Sequence, residues 1–317
     1  MREKVLVTGG CGYIGTLLIE QLIKNYEVTV FDTQWFGNYL EKNTNLRIIV
    51  GDIRNDLEKL DFSKFNFVIH LANIPNDPGV ELDQVLSWEV NALSSKHLIE
   101  KAISGGVEKF IFASSGSVYG IKEEEEVTED LDLVPISIYN KTKMISERVF
   151  LSYKDEIDLF IIRPATVCGW SPRMRLDISV NMLTYQALTK RKINVYGGNQ
   201  TRPNININDM VNVYLYLIQN KIEPGIYNAG FENMKIIDLA NYIKKEIDTE
   251  IVIRESNDPR SYRQSSKKLL KTGFKPKFTV KDAIIDLKDK YKKKMLNDHD
   301  SYYTVNWMKK TLLKSKN

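Results

Sequence analysis

Tyr139 and Lys143 stand four residues apart, a spacing that puts a phenol and an ammonium on one face of a helix. A free phenol, with a pKa of about 10, is a poor base at neutral pH. A neighbouring ammonium and a positively charged acceptor ring stabilise the phenolate and lower that value. The phenolate can then take a proton from a substrate hydroxyl while hydride leaves the same carbon, and run backwards it protonates an alkoxide. The chain has 16 tyrosines, and only Tyr139 carries lysine four positions on. The chemistry also needs a hydroxyl at the end of the strand before that helix. Ser114-Ser115-Gly116-Ser117 supplies one, and such side chains face the crevice of a parallel sheet.

Hydride needs an acceptor, and the first 32 residues describe its cradle. An apolar strand, Lys4 to Thr8, runs into Gly9-Gly10-Cys11-Gly12-Tyr13-Ile14-Gly15, and a helical pattern from Leu17 to Ile23 runs out. Glycines let backbone N–H groups approach a pyrophosphate, and the helix N-terminus adds partial positive charge. A second strand, Val28 to Phe31, ends in Asp32, which accepts hydrogen bonds from a ribose 2′-OH and repels a 2′-phosphate. The expected cofactor is NAD rather than NADP.

The elements that position these groups alternate. Strands are expected at 46–50, 67–72, 109–114 and 159–162, with long helices from about 82 to 104 and from 138 to 153. That order predicts an α/β fold with a doubly wound parallel sheet, the Rossmann arrangement. After Pro164 the turns become denser, which suggests a smaller C-terminal α/β substrate lobe over the strand ends. The expected division is 1–170 for the dinucleotide, with 208–230 returning to it, and 171–207 plus 231–317 for the substrate. Loop Ser171 to Asp177 carries Arg173 and Arg175. It either frames a nucleotide diphosphate, with Arg175 as ligand, or folds as a charged surface turn.

Bulk properties exclude other classes. The chain is 317 residues long, 43% hydrophobic and 27% charged, with a net charge of +4, as expected of a soluble globular protein and not of a nucleic-acid binder. The lysine run from Lys288 to Lys294 reads as a solvated helix face, and Glu123 to Glu126 as a solvated loop. Two cysteines, Cys11 and Cys168, lack metal-ligand spacing and imply no disulfide framework. No metal is expected. A strand beginning at residue 4 argues against a signal peptide, and no apolar run reaches the ~18 residues of a membrane helix. The expected compartment is the cytoplasm. His70 is expected to be a buried, hydrogen-bonded histidine.

Together these motifs resemble the extended short-chain dehydrogenase/reductases, the sugar-nucleotide epimerase/dehydratase enzymes typified by UDP-glucose 4-epimerase. The residues that carry the resemblance are the glycine triplet, Asp32, Gly51-Asp52-Ile53, His70-Leu71-Ala72, Asn91, the Ser-Ser-x-x-Val-Tyr-Gly stretch and Tyr139/Lys143. The resemblance makes Ser115 the catalytic hydroxyl. It places Asp52 and Ile53 at the adenine, and Leu71, Ala72 and Asn91 among the cofactor residues. It matches Arg202 and Arg260 to arginines that bind a substrate diphosphate. Family dehydratases carry Asp-Glu after the catalytic hydroxyl, whereas this chain has Gly116-Ser117, so water loss is not expected. The resemblance extends to a branch acting on GDP-linked sugars, including heptoses of bacterial surface polysaccharides. It also implies a homodimer through a four-helix bundle, for which Val85, Leu86, Leu93 and Ile99 give one helix apolar surface.

The expected activity is oxidation of the C4 hydroxyl of a nucleotide-diphosphate sugar. The 4-keto sugar either leaves or is re-reduced on its other face, which makes a dehydrogenase or a 4-epimerase. A reading from another class is a non-catalytic NAD sensor. A damaged triad would favour it, and here Ser115, Tyr139 and Lys143 are all present.

Overall fold

The computed structural model describes residues 2–256 and 261–311. Its centre is a seven-stranded sheet whose strands alternate with helices. In chain order the first half contains β1 (Lys4–Thr8), α1 (Tyr13–Leu22), β2 (Glu27–Asp32), β3 (Leu46–Val50), β4 (Phe67–His70), α2 (Asp77–Val80), α3 (Gln84–Trp88), α4 (Ser94–Ser104), β5 (Lys109–Ala113), α5 (Ile138–Leu151) and β6 (Asp158–Pro164). There follow β7 (Thr166–Cys168), α6 (Ser179–Lys190), β8 (Lys192–Tyr196), β9 (Thr201–Asn206), α7 (Ile207–Gln219) and β10 (Gly225–Ala229). The chain ends with β11 (Glu232–Lys235), α8 (Ile236–Glu246), β12 (Glu250–Arg254), α9 (Lys267–Lys271), α10 (Val280–Lys292) and α11 (Thr304–Thr311).

The large sheet has the order β10-β6-β5-β4-β1-β2-β3, and its pairs are parallel throughout. Its strands are apolar on both faces, because helices cover both. Val5 and Val7 enter one core with Ile69, Ile111, Phe160 and Ile162, under α1 and α7. Leu6, Val68, Phe110, Phe112 and Ile161 enter the other, under α4 and α5. The period-2 alternation is thus visible strand by strand. The strand order reverses at β1, between β2 and β4, and so opens a crevice at their carboxyl ends.

The remaining strands form two small sheets, β11-β9-β7 and β12-β8. They share a separate core of Cys168, Val180, Leu183, Ile193, Val195, Leu239 and Ile284. α11 turns back from this part of the chain, and its Met308 is buried with Ile74 and Val80. The expected long helix over 82–104 is split: α3 and α4 are joined by a π-helical turn, Glu89–Leu93, in which Asn91 bonds Ile74 through both its amide oxygen and nitrogen. The lysine run is solvated only in part. Lys288 donates to the Glu246 carbonyl at 2.5 Å, and Lys290 lies over the Trp170 ring at 4.0 Å, while Lys292 to Lys294 are exposed. Long lysine stems reach such partners while the helix surface stays wet.

One buried ion pair ties α5 to β6. Arg163 Nη2 and Nε lie 2.7 and 3.0 Å from the Glu147 carboxylate, and both residues are buried. Ser114 also donates to Glu147, and Arg163 Nη1 donates to Tyr119 Oη at 2.7 Å. Removing one charge strands the other. Arg163→Met is therefore expected to lower unfolding free energy by about 3–5 kcal/mol in urea titration, with much of the loss recovered in Arg163→Met/Glu147→Leu. A single-variant loss below about 1 kcal/mol would contradict the pair's role.

Candidate active site

A cavity of about 380 Å³ opens at the sheet's reversal point. It is lined by Gly9, Gly12, Tyr13, Ile14, Gly15, Asp32, Asp52, Ile53, Leu71, Ala72, Ser115, Tyr139, Lys143 and Arg175, all singled out in the sequence. Asn91 is absent from this lining; it stands behind the wall and holds the Ile74 backbone. Arg202, on β9, does not line the cavity either; its Nη1 reaches the Thr201 carbonyl at 3.4 Å. Arg260 lies outside the described residues.

At the cofactor end, Gly9 has φ +74, and a Cβ there would fall 2.5 Å from the Ala72 nitrogen. The turn can therefore close onto the end of β4 only with glycine. A Cβ at Gly15 would meet the Gly10 carbonyl at 2.6 Å, so this glycine lets α1 pack onto the turn. Asp32 is half-buried, and its carboxylate accepts from the backbone N–H of Cys11 and Gln34 at 2.9 and 2.6 Å. Burial pushes its pKa up, while those two bonds and the Arg173 charge pull it down. The Asp52 carboxylate is clasped by Arg54 Nε and Nη2, and Arg54 also reaches Glu89 at 2.6 Å. Asp52 is thus fixed in orientation beside Ile53.

At the reacting end, Ser115 follows β5, and its Oγ is 2.7 Å from Ser117 Oγ. Ser137 caps α5 by accepting from the Asn140 N–H, which starts the helix just before Tyr139. Desolvation raises the Tyr139 pKa to about 12, opposed by a hydrogen bond with Ser115 and by the charge of Arg175, while Asp77 adds to the rise. Lys143 is only 2% exposed, and its Nζ donates to the Ala113 carbonyl at 2.8 Å and sits 4.9 Å over the Phe112 ring. Desolvation lowers its pKa to about 7, against the opposing pull of Glu147. The expectation is that Lys143 and a positive acceptor ring together acidify the phenol, but Lys143 is not among the groups that act on Tyr139 in the protein alone. In the protein without ligand the groups acting downward on Tyr139 are Ser115 and Arg175.

Arg175 is oriented by Asp177, with Nε to Oδ1 at 2.9 Å and Nη2 to Oδ2 at 3.2 Å. Asp177 accepts in turn from the Thr304 N–H at 3.1 Å and from Asn76 Nδ2 at 3.3 Å. The loop from Ser171 to Asp177 is therefore no surface turn. Sequence reasoning passed over Asp77, Trp35 and Phe36, which also line the cavity, and left Arg173 without a role. Tyr39 and Trp307 explain the position of the 35–39 segment: Tyr39 Oη is 3.2 Å from Ser301 Oγ, and Trp307 Nε1 donates to the Trp35 carbonyl at 2.5 Å. His70 is buried, bonded to Thr8 at 2.7 Å and stacked on Phe112, and burial lowers its pKa to about 3. The buried thiols of Cys11 and Cys168 have raised pKa values, which leaves them unreactive.

Residues 5–230 match the description of the NAD dependent epimerase/dehydratase family. The chain belongs to this family. It is an NAD-dependent enzyme, and its cavity is lined by the glycine turn, by Asp32 and by Arg173, whose buried guanidinium nitrogen Nε has no partner among the described residues. A protein of Methanocaldococcus jannaschii, provisionally named a UDP-glucose 4-epimerase, is 30% identical over 292 residues, 88% of this chain and 95% of its own. The dTDP-D-glucose 4,6-dehydratase of Mus musculus is 29% identical over 330 residues, 93% of this chain and 90% of its own. Among solved structures, a UDP-glucuronic acid 4-epimerase from Bacillus cereus with UDP-glucuronic acid and NAD superposes with a TM-score of 0.79 at 27% identity, covering 92% of this chain and 100% of that one. A UDP-glucose 4-epimerase from Thermotoga maritima with UDP-glucose gives 0.82 at 25% identity, with the same coverage. No helix among the described residues is long and apolar enough to cross a membrane, and no three or more of their His, Cys, Asp and Glu side chains cluster so as to hold a metal ion.

The buried lysine has a pH signature. Its folded pKa of about 7 lies below the ordinary value of about 10.4, so the unfolded chain binds more protons between the two. Stability contributed by this group is therefore fully present above the unfolded value and lost as pH falls through about 7. In urea titrations, the stability of wild type relative to Lys143→Met is expected to rise from pH 7 to pH 10. A difference that stays flat or falls would contradict the burial argument.

Proposed function

We propose that the enzyme oxidises the C4 hydroxyl of a nucleotide-diphosphate sugar to a 4-keto sugar. The observation that supports this best is the convergence of Ser115, Tyr139 and Lys143 on the cavity that also holds Asp32 and the glycine turn. Ser115 orients the substrate oxygen, Tyr139 takes its proton, and Lys143 holds the cofactor beside them. Bound NAD supplies the hydride acceptor and a positive ring, which adds to Arg175 in bringing the phenol's pKa down from about 12. Asp52, Ile53, Leu71 and Ala72 serve the cofactor in this reading, and Asn91 serves it indirectly through Ile74. Arg175 meets the substrate, and Arg202 and Arg260 are assigned to its diphosphate by resemblance.

Ser117 stands in the cavity where family dehydratases carry an acid, and it offers only a hydroxyl. Gly116, the other position, offers no side chain. Dehydration is therefore not part of the proposal. A second reading, 4-epimerisation by re-reduction on the opposite face, shares every residue named. The 4-epimerases among the relatives and solved neighbours favour it. The neighbours carry UDP-sugars, whereas the sequence resemblance points to a GDP-hexose or GDP-heptose for bacterial surface polysaccharide. Nucleotides released on denaturing the purified protein would identify the base, and product analysis separates a 4-keto sugar from a C4 epimer.

The proposal assigns 1–170 with 208–230 to the dinucleotide, and 171–207 with 231–317 to the sugar nucleotide. It places the protein in the cytoplasm as a homodimer through the α3–α4 and α5 faces. There Val85 and Leu93 are 71% and 68% exposed, while Ile99 is buried in the core and Leu86 packs against it. Light scattering that returns a monomer mass would remove the dimer from this picture.

Tyr139→Phe is expected to lower turnover by about 10²–10⁴-fold, the scale of general acid–base catalysis, while NAD binds with unchanged affinity. Turnover within about threefold of wild type would contradict the assignment and revive the sensor reading.

A further inference from the structure

Arg173 is only 3% exposed, yet the described residues offer it little. Its guanidinium sits 4.2 Å from the Phe36 ring centroid, and Nη1 gives one bond of 3.3 Å to the Met174 carbonyl. Nε has no partner, and no ion pair to Arg173 is found among those residues. Asp177 and, more weakly, Asp32 act on it from a distance, against the like charge of Arg175; the Asp177 carboxylate is engaged by Arg175, and each Asp32 oxygen already accepts one backbone N–H. A buried guanidinium left in this state is costly unless an anion joins it.

The loop that carries Arg173 is pinned to the start of α1. Ser171 Oγ donates to the Tyr13 carbonyl at 2.8 Å, Tyr13 Oη donates to the Gly169 carbonyl at 2.6 Å, and Asn181 Nδ2 donates to Tyr13 Oη at 3.0 Å. Two residues beyond Ser171, Arg173 faces the cavity shared with Gly12 and Asp32. The start of α1 and the guanidinium with its unpartnered nitrogen thus line one cavity, joined by the bonds between Ser171, Gly169 and Tyr13. Helix α1 is ten residues long, so its first-turn N–H groups and dipole favour an anion there.

We propose that Arg173 is the side-chain ligand of the dinucleotide's diphosphate, delivered by the 169–175 loop from a segment otherwise assigned to the sugar nucleotide. The planar fork suits paired phosphate oxygens. A 2′-phosphate is the competing anion, but it would lie against the Asp32 carboxylate. The loop continues to Arg175, which acts on Tyr139, so one short segment touches the cofactor's anion and the reacting phenol. The assignment rests on the family's NAD site and not on the proposed C4 chemistry, so each can fail without the other.

The test is calorimetric titration of ligand-stripped protein with NAD, ADP, adenosine and NADP, for wild type, Arg173→Met and Arg173→Lys. Loss of a charge-assisted hydrogen bond predicts that Arg173→Met weakens NAD and ADP by about tenfold or more and leaves adenosine within about twofold, with Arg173→Lys in between. Equal losses for ADP and adenosine, or no loss for either, would overturn the proposal. So would a loss confined to NADP. Wild-type ADP affinity should fall as salt rises while adenosine affinity holds, and ADP binding indifferent to salt would overturn the proposal even if Arg173→Met failed to fold.

Discussion

The geometry of the site depends on where one buried ammonium is anchored. Lys143 is held at the end of β5 by the Ala113 carbonyl and by the face of Phe112, with no water-facing alternative. That contact fixes the start of α5 against the sheet. Tyr139 lies one helical turn earlier and Ser115 two residues beyond β5, so both are set over the crevice by the same anchor. One turn further along, Glu147 joins Arg163 and Ser114 and fastens the helix a second time. Packing a charged lysine here costs desolvation, which the burial-lowered pKa of about 7 expresses.

Electrostatics at the phenol are shared more widely than a two-residue motif implies. Arg175 supplies positive charge and Asp77 negative charge, and burial outweighs both in the protein alone. Arg175 owes its pose to Asp177, and Asp177 owes part of its own to the Thr304 N–H, 127 residues away. The same C-terminal segment holds the Trp35 carbonyl through Trp307. The last helix thus braces the segment that walls the cofactor end and the loop that reaches the reacting end. This gives a physical role to a part of the chain whose sequence shows only a lysine-rich helical pattern.

Much of this was legible in the sequence because it follows from local pattern. Apolar runs bounded by turns marked the parallel strands, and their continuous hydrophobicity reflects helices on both faces. The glycine turn, Asp32 and the four-residue Tyr139/Lys143 spacing were readable because each role constrains residue type at fixed separation. Depth and direction were not readable. Arg173 and Arg175 alternate on one loop, and nothing in the alternation shows that Arg173 is buried and Arg175 half-buried, or that Ser171 pins the loop to Tyr13. The π-helical turn at Glu89–Leu93 leaves no compositional mark. Arg202, on β9, matched an arginine of the family by position but is not among the residues lining the cavity. The Arg163–Glu147 pair joins residues from different elements, and only the folded arrangement reveals it.

The central claim, that Tyr139 removes a proton as hydride leaves C4, is tested most directly with nucleotide sugars carrying deuterium at C4. The reaction with added NAD is quenched during turnover, and the reduced cofactor and the sugar are analysed by mass spectrometry. The account predicts deuterium on the reduced cofactor for a UDP- or GDP-sugar that the protein binds, and none with Tyr139→Phe. Unlabelled cofactor and unchanged C4 stereochemistry with every sugar shown to bind would contradict it.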